Sequence, residues 1–328
     1  MPTRKSPRKG SLQFWPRKRA AKFLPRVNWN AIDSGKNIKG FICYKAGMAS
    51  AHVKDNSPDS MTKGREIVVP ATILECPSMK IFSVRFYKNG KVANEVLSEN
   101  LDKELKRKLK VPKKKGKSVD EIIDASKTRS ASSSDESDTK NYDDVRVIFY
   151  SVVKQTGLKK KPDLSEIGLN GSIEDKLKFI KENLGKEISV ADVFDKDQLV
   201  DLRGLTKGQG FQGPVKRFGI KLKAHKSEKG RRRPGSLGPW HPARVTFRAP
   251  MAGQLGMFTR VVYNNKIIDL GKSEGKFSNI KNYGNIKTDY VIVKGSIQGP
   301  AKRQLLITSP VRETRKTKKK NYELLGVR

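Results

Sequence analysis

Carboxylates are scarce in this chain: 33 Asp and Glu stand against 70 Lys and Arg in 328 residues, a formal charge of +37. Self-repulsion on that scale argues against an ordinary soluble enzyme and for a polyanionic partner. Only three histidines occur, His52, His225 and His241. They are dispersed and lack a matched Cys or carboxylate spacing, which argues against a zinc site. No apolar run approaches the roughly 20 residues that span a bilayer, and the basic first ten residues have no apolar segment behind them, so neither a membrane span nor a secretory signal is read. Cysteine is limited to Cys43 and Cys76. In strand-like surroundings they read as buried thiols of a reduced, cytoplasmic protein, with a disulfide as the alternative. Hydrophobic residues make up 35%, enough for a modest core plus extensions that have none of their own.

The positive charge is unevenly placed. Residues 118–202 hold 18 acids and 13 bases and read as an ordinary solvated block, which leaves +42 on the remainder. Residues 1–32 contain nine bases and no acid, with Phe14, Trp15, Phe23 and Trp29 interleaved and Pro16 and Pro25 blocking a regular element. In such an arm the cations neutralise phosphates and the aromatic faces stack on unpaired bases. Packing onto the protein's own core is the alternative, and for Trp29 both readings stay open. Residues 203–248 hold thirteen bases and one acid, Glu228, on a backbone broken by Gly and Pro. This segment has too few apolar residues to offset the entropy of ordering, so it is expected to order only against a large polyanion, folded RNA or DNA.

Strand-like runs are predicted at 40–45, 66–74 and 80–88, the last closed by a hairpin turn at Asn89-Gly90. Leucines 101, 105 and 109 predict a helix over 98–109. Periodicity is lost over 110–140, where a lysine run passes into the Ser/Asp-rich stretch 130–138, read as a mobile surface loop. A strand is predicted at 145–153, then a helix capped by Ser172, striped with Ile173, Leu177, Ile180 and Leu184, and stopped by Gly185. Further strands are predicted at 198–203, 243–248, 259–263, 266–270, 289–294 and 304–308. This pattern gives a mainly-β protein: a small barrel of about six strands interrupted by an α/β insert. The expected division is a basic N-terminal extension 1–36, a first barrel part 37–85, an inserted α/β domain 86–188 with a flexible loop 110–140, a second barrel part 189–310 containing a loop at 206–256, and a basic C-terminal tail 311–328.

Enzymatic motifs fail on context. Gly208-Gln-Gly210-Phe-Gln-Gly213 matches G-x-G-x-x-G, but no helical stripe follows Pro214 to hold a pyrophosphate. No nucleophile elbow is present, and no catalytic, cofactor or metal residue is assigned.

Four motifs carry a resemblance: Gly204-Leu-Thr-Lys-Gly-Gln-Gly-Phe-Gln-Gly-Pro-Val-Lys-Arg-Phe, Arg231-Arg-Arg-Pro-Gly-Ser-Leu-Gly, Met251-Ala-Gly-Gln-Leu-Gly and Val293-Lys-Gly-Ser-Ile-Gln-Gly-Pro. In this order, and over roughly residues 36–310, the chain resembles the L-three family of large-subunit ribosomal proteins. Its length, the balanced insert and Pro239-Trp-His-Pro look archaeal or eukaryotic rather than bacterial, while the stretch 130–138 departs from the family pattern. The resemblance implies a translation-type β-barrel whose 206–256 loop, a finger with Trp240 near its tip, reaches through ribosomal RNA toward the peptidyl-transferase centre. It implies a role in early subunit assembly and in relaying factor binding, with large-subunit ribosomal RNA, neighbouring ribosomal proteins and transient translation factors as partners. No membrane, homo-oligomer or cofactor is expected, and the location is the cytoplasm, in the large subunit. The residues expected to meet RNA are Arg4, Lys5, Arg8, Lys9, Trp15, Arg17, Lys18 and Arg19 in the arm, then Lys207, Lys216, Arg217, Lys221, Lys223, Lys226, Arg231, Arg232, Arg233, Trp240, His241, Arg244, Arg248, Gln254 and Arg260. Two other classes compete: a DNA architectural protein sharing the basic arms, and an RNA-modifying enzyme with a cofactor pocket in the insert.

Overall fold

The structure is a computed structural model that describes residues 7–112, 118, 120–121, 142–226 and 229–328. The chain divides into two compact units, a larger one of Leu24–Gly204 with Val261–Arg328 and a smaller one of Met1–Phe23 with Leu205–Arg260. In chain order the strands are β1 (Gly40–Asp55), β2 (Glu66–Cys76), β3 (Met79–Lys88), β4 (Lys91–Leu97), β5 (Asp144–Ser151), β6 (Leu164–Gly168), β7 (Leu199–Leu205), β8 (Phe211–Gln212), β9 (Gly253–Gln254), β10 (Thr259–Lys272), β11 (Asp289–Lys294), β12 (Gln304–Thr308) and β13 (Tyr322–Val327). The one helix longer than two turns among the described residues is α1, Ile173–Asn183.

In the larger unit, β-branched and aromatic runs form a sheet ordered β12-β7-β10-β11-β2-β1-β13. Because β1 also pairs with β12, six strands return to their start. A bulge between Lys45 and Gly47 bends β1. Its first part then pairs with β12 and its end, Ala51–Asp55, with β13. A second antiparallel sheet, β4-β3-β5-β6, carries the Asn89-Gly90 hairpin, whose residues adopt the positive φ values (51° and 70°) that a tight two-residue turn requires. Its residues Val84, Phe86, Val147 and Phe149 share one core with Phe41, Leu74, Val291 and Leu305 of the first sheet and with Ile180 of α1. The two sheets and the helix therefore share one packed core.

Ser172 caps α1 as the sequence implies. Its hydroxyl accepts from the Asp175 N–H (3.2 Å), and the Asp175 carboxylate accepts from the Ser172 N–H (3.2 Å), closing a capping box. Other readings are corrected. The helix expected over 98–109 is a single 3-10 turn, Lys103–Arg107, because only Leu105 is buried there and the Asp102 carboxylate, instead of capping, accepts from the Tyr150 hydroxyl (2.7 Å). The strand expected at 243–248 has no partner strand and lies exposed in turns. The two strands expected at 259–263 and 266–270 are one, β10, which continues through Asn264 at positive φ (54°). The tail expected at 311–328 ends in β13, paired to β1, with Tyr322 buried. Apart from its ends (110–112) and residues 118, 120 and 121, the loop reading for 110–140 falls outside the described residues. Cys43 and Cys76 are free, fully buried thiols, and burial first, then Cys43 beside it, pushes the Cys76 thiol up. Trp29 is 3% exposed, which settles it as core.

Candidate nucleic-acid interface

The smaller unit starts as a two-stranded stem. Thr206 N–H donates to the Phe258 carbonyl (3.0 Å), Gln209 N–H to Leu255 (3.0 Å) and Leu255 N–H to Gly210 (2.9 Å), after which β8 pairs with β9. The stem closes tightly at Gly256. There φ is +76°, and a Cβ would stand 1.9 Å from the Lys207 carbonyl oxygen, so no other residue fits. Beyond β8, Pro214–Phe218 forms one short helical turn with Gly213 as N-cap. The sequence reading placed no helix there; proline at the first helical position, whose N–H needs no partner, starts it. At five residues, with the strand β8 inside the G-x-G-x-x-G run, it is not a dinucleotide-binding turn.

The arm and the loop each have too few apolar residues to fold alone, yet together they assemble a small core. Trp15 stacks on Phe218 (centroids 6.1 Å) and meets Phe247 edge-on (5.7 Å), and Phe218 is 6% exposed. Arginines fill the remaining space. The Arg17 guanidinium lies 4.3 Å from the Phe218 centroid and donates to the Arg217 carbonyl (3.1 Å); Arg217 donates to the carbonyls of Gln254 (3.0 Å) and Met251 (2.9 Å); Arg260 lies 4.3 Å from the Phe14 ring. Burial lowers the Arg17 pKa, and the neighbouring Arg217, Arg260 and Arg8 lower it further. That crowding of like charge runs through the whole unit. Residues 1–23 and 205–260 carry 21 Lys and Arg and one acid, Glu228, so among its described residues this unit has no carboxylate at all.

The residues expected to meet RNA therefore divide. Arg4 and Lys5 lie outside the described residues. Trp15, Arg17, Arg217 and Arg260 are half-buried and hold the unit together, and the half-buried Gln254 amide donates to the Leu255 (3.2 Å) and Gly256 (3.1 Å) carbonyls. Arg8 reaches the Arg248 carbonyl (3.0 Å), while the N–H of half-buried Lys223 donates to the Arg231 carbonyl (3.1 Å) and the Arg231 side chain donates back to the Lys223 carbonyl (3.3 Å). Exposed are Lys9, Lys18, Arg19, Lys207, Lys216, Lys221, Lys226, Arg231, Arg232, Arg233, His241, Arg244 and Arg248. Trp240 is 87% exposed and lies in a shallow cleft of about 440 Å³ with Pro239, Pro242 and Arg244. The sequence reading missed Phe211, 78% exposed on β8. Its signal was available: an aromatic set among glycines with no apolar neighbour to pack on.

The chain matches the family described as ribosomal protein L3 over residues 1–325. It belongs to that family. Relatives described as large ribosomal subunit protein uL3 are 40% identical over 319 residues in Methanocaldococcus jannaschii and 41% identical over 318 residues in Archaeoglobus fulgidus, with 93% of this chain covered in both and 91% and 92% of the relatives. Membership of a ribosomal-protein family sets aside the RNA-modifying-enzyme alternative, and the archaeal flavour read from the sequence agrees with these relatives. No helix among the described residues is long and apolar enough to cross a membrane.

Proposed function

We propose that this L3-family protein is a structural constituent of the large ribosomal subunit that binds large-subunit ribosomal RNA through its smaller unit. It acts early in subunit assembly and extends the 206–256 loop toward the peptidyl-transferase centre, where it supports factor binding; neighbouring ribosomal proteins and translation factors are its other partners. One observation carries the reading: a unit with 21 bases has a single acid, Glu228, in its sequence, and it spends a few arginines on its own carbonyls and rings while Lys9, Lys18, Arg19, Lys207, Lys216, Lys221, Lys226, Arg232, Arg233, Arg244 and Arg248 are exposed. Phosphates are the natural counter-charge, and a folded RNA is recognised by shape without base-specific readout. Exposed Trp240 and Phe211 offer stacking faces for unpaired bases.

The test is the salt dependence of binding to deproteinised large-subunit ribosomal RNA. Each duplex-like phosphate contact contributes about −0.9 to the slope of log affinity against log salt. Replacing Arg231, Arg232 and Arg233 by Ala flattens that slope, and in the same assay Trp240→Ala weakens binding without changing the melting temperature. A slope identical in the triple variant and the parent would remove the loop from the interface.

A further inference from the structure

The fold of the larger unit gathers positive charge where the sequence averages it away. The 3-10 turn Lys103–Arg107 lies beside the loop that follows β5, and the two enclose a cleft of about 590 Å³ lined by Lys103, Arg107, Lys154, Lys159, Lys160 and one acid, Glu104. Three of its five cations, Lys154, Lys159 and Lys160, come from the 118–202 stretch, which is net negative as a whole. The acids within reach are already engaged. Glu104 pairs with Lys154 at 3.2 Å. Asp163, 4% exposed, accepts from the Tyr44 hydroxyl (2.7 Å) and pairs with Lys108 (3.4 Å) and with Lys159. Lys103, Arg107 and Lys160 are exposed, and among the described residues none of the three has a carboxylate partner. At the cleft wall, Gly157 adopts the left-handed conformation (φ 72°) that ends the 3-10 turn Val153–Thr156, leaving bare backbone where a ligand could approach closely.

A coat that merely solubilises intersperses both signs. Here a concave site sets five cations against one acid, Glu104, which is already paired with Lys154, and that excess of positive charge is the complement of a phosphodiester backbone. We infer that this cleft is a second RNA-phosphate site, carried by the larger unit and separate in sequence from the 206–256 loop. The inference rests on the ribosomal RNA reading above for the identity of the polyanion. It assigns Lys103, Arg107 and Lys160 to phosphate contacts, with Lys159 held by Asp163 as a fixed cation at the base.

The full chain carrying Lys103→Gln, Arg107→Gln and Lys160→Gln tests it, because exposed residues can change without cost to folding, and an unchanged melting temperature checks that. Titrated with deproteinised large-subunit ribosomal RNA beside the Arg231, Arg232 and Arg233 triple-Ala protein, the cleft variant has a salt slope shallower by about two, as expected for the loss of two or three phosphate contacts. In the parent protein bound to the same RNA, ultraviolet crosslinking followed by peptide mapping finds nucleotide adducts on peptides containing 103–107 or 154–160. Both results are required. If the triple-Ala protein loses slope while the cleft variant keeps the parental one, or if those peptides stay free of nucleotides, the cleft is not a phosphate site although the main interface stands. If neither variant changes the slope, the ribosomal RNA reading itself falls.

Discussion

At the scale of single residues, Asp55 shows how one carboxylate organises a turn in so basic a chain. At the end of β1 it is 3% exposed and accepts from the Ser57 N–H (3.0 Å) and from the Ser60 and Thr62 hydroxyls (2.6 Å each). Burial alone would raise its pKa, but the hydrogen bonds outweigh that and hold it far below the usual carboxylate range. A group whose pKa is lower folded than unfolded adds stability above its unfolded value, about 3.9, and loses it as pH falls toward the folded value. Asp55→Asn is therefore expected to cost about 1–3 kcal/mol at pH 7, with the gap to the parent narrowing below about pH 4. Melting temperatures of both proteins at pH 7 and pH 3 check this, and a gap independent of pH would mean that the charge contributes nothing. The three tryptophans mark what residue-level reading can reach. Trp240, between prolines with nothing apolar near, is legible as exposed from sequence alone. Trp15 and Trp29 sit in equally basic surroundings, and only the fold shows that one stacks on Phe218 while the other is buried.

At the scale of elements, legibility follows how local the cause is. The cap and stop of α1 lie within its own residues, so Ser172 and Gly185 bracket it correctly. The hairpin at Asn89-Gly90 is equally local. Strands need partners: the apolar positions of 243–248 resemble β-structure, yet no strand lies beside them, and Val245 and Phe247 stay 51% and 65% exposed. The reverse error occurred at the C-terminus, where the basic run before Asn321 hid Tyr322-Glu-Leu-Leu-Gly-Val, a strand specified by the free end of β1 rather than by its own composition. Deleting 321–328 should unpair Ala51–Asp55 and remove buried Tyr322. The expected loss is about 2–3 kcal/mol from the side chain alone, visible as a lowered melting temperature. A loose basic tail would be removable without effect.

At the scale of the whole molecule, the two units differ in what holds them. The larger has an extended core shared by both sheets and acids that pair within it, as where Arg85 and Arg146 meet Glu166 at 2.9 and 3.2 Å. The smaller has a few aromatic contacts against the repulsion of 21 bases. With so few buried contacts it opens locally at low free energy, and a polyanion that binds only its closed form stabilises it by mass action. The sequence made the charge imbalance plain but not the small core, because Trp15 and Phe218 lie some two hundred residues apart and neither segment could pack alone. Limited trypsin digestion of the free protein at low salt is thus expected to cut first within 7–23 and 216–233, while the chain through β13 persists. Because β7 and β10 both belong to the closed sheet, a nick between them leaves the larger unit assembled. Deproteinised large-subunit ribosomal RNA should slow those early cuts far more than cleavage elsewhere. Mass mapping of the first products decides the matter: equal early cutting with and without RNA would show that the smaller unit gains no order from the polyanion, and its positive charge would then need another explanation.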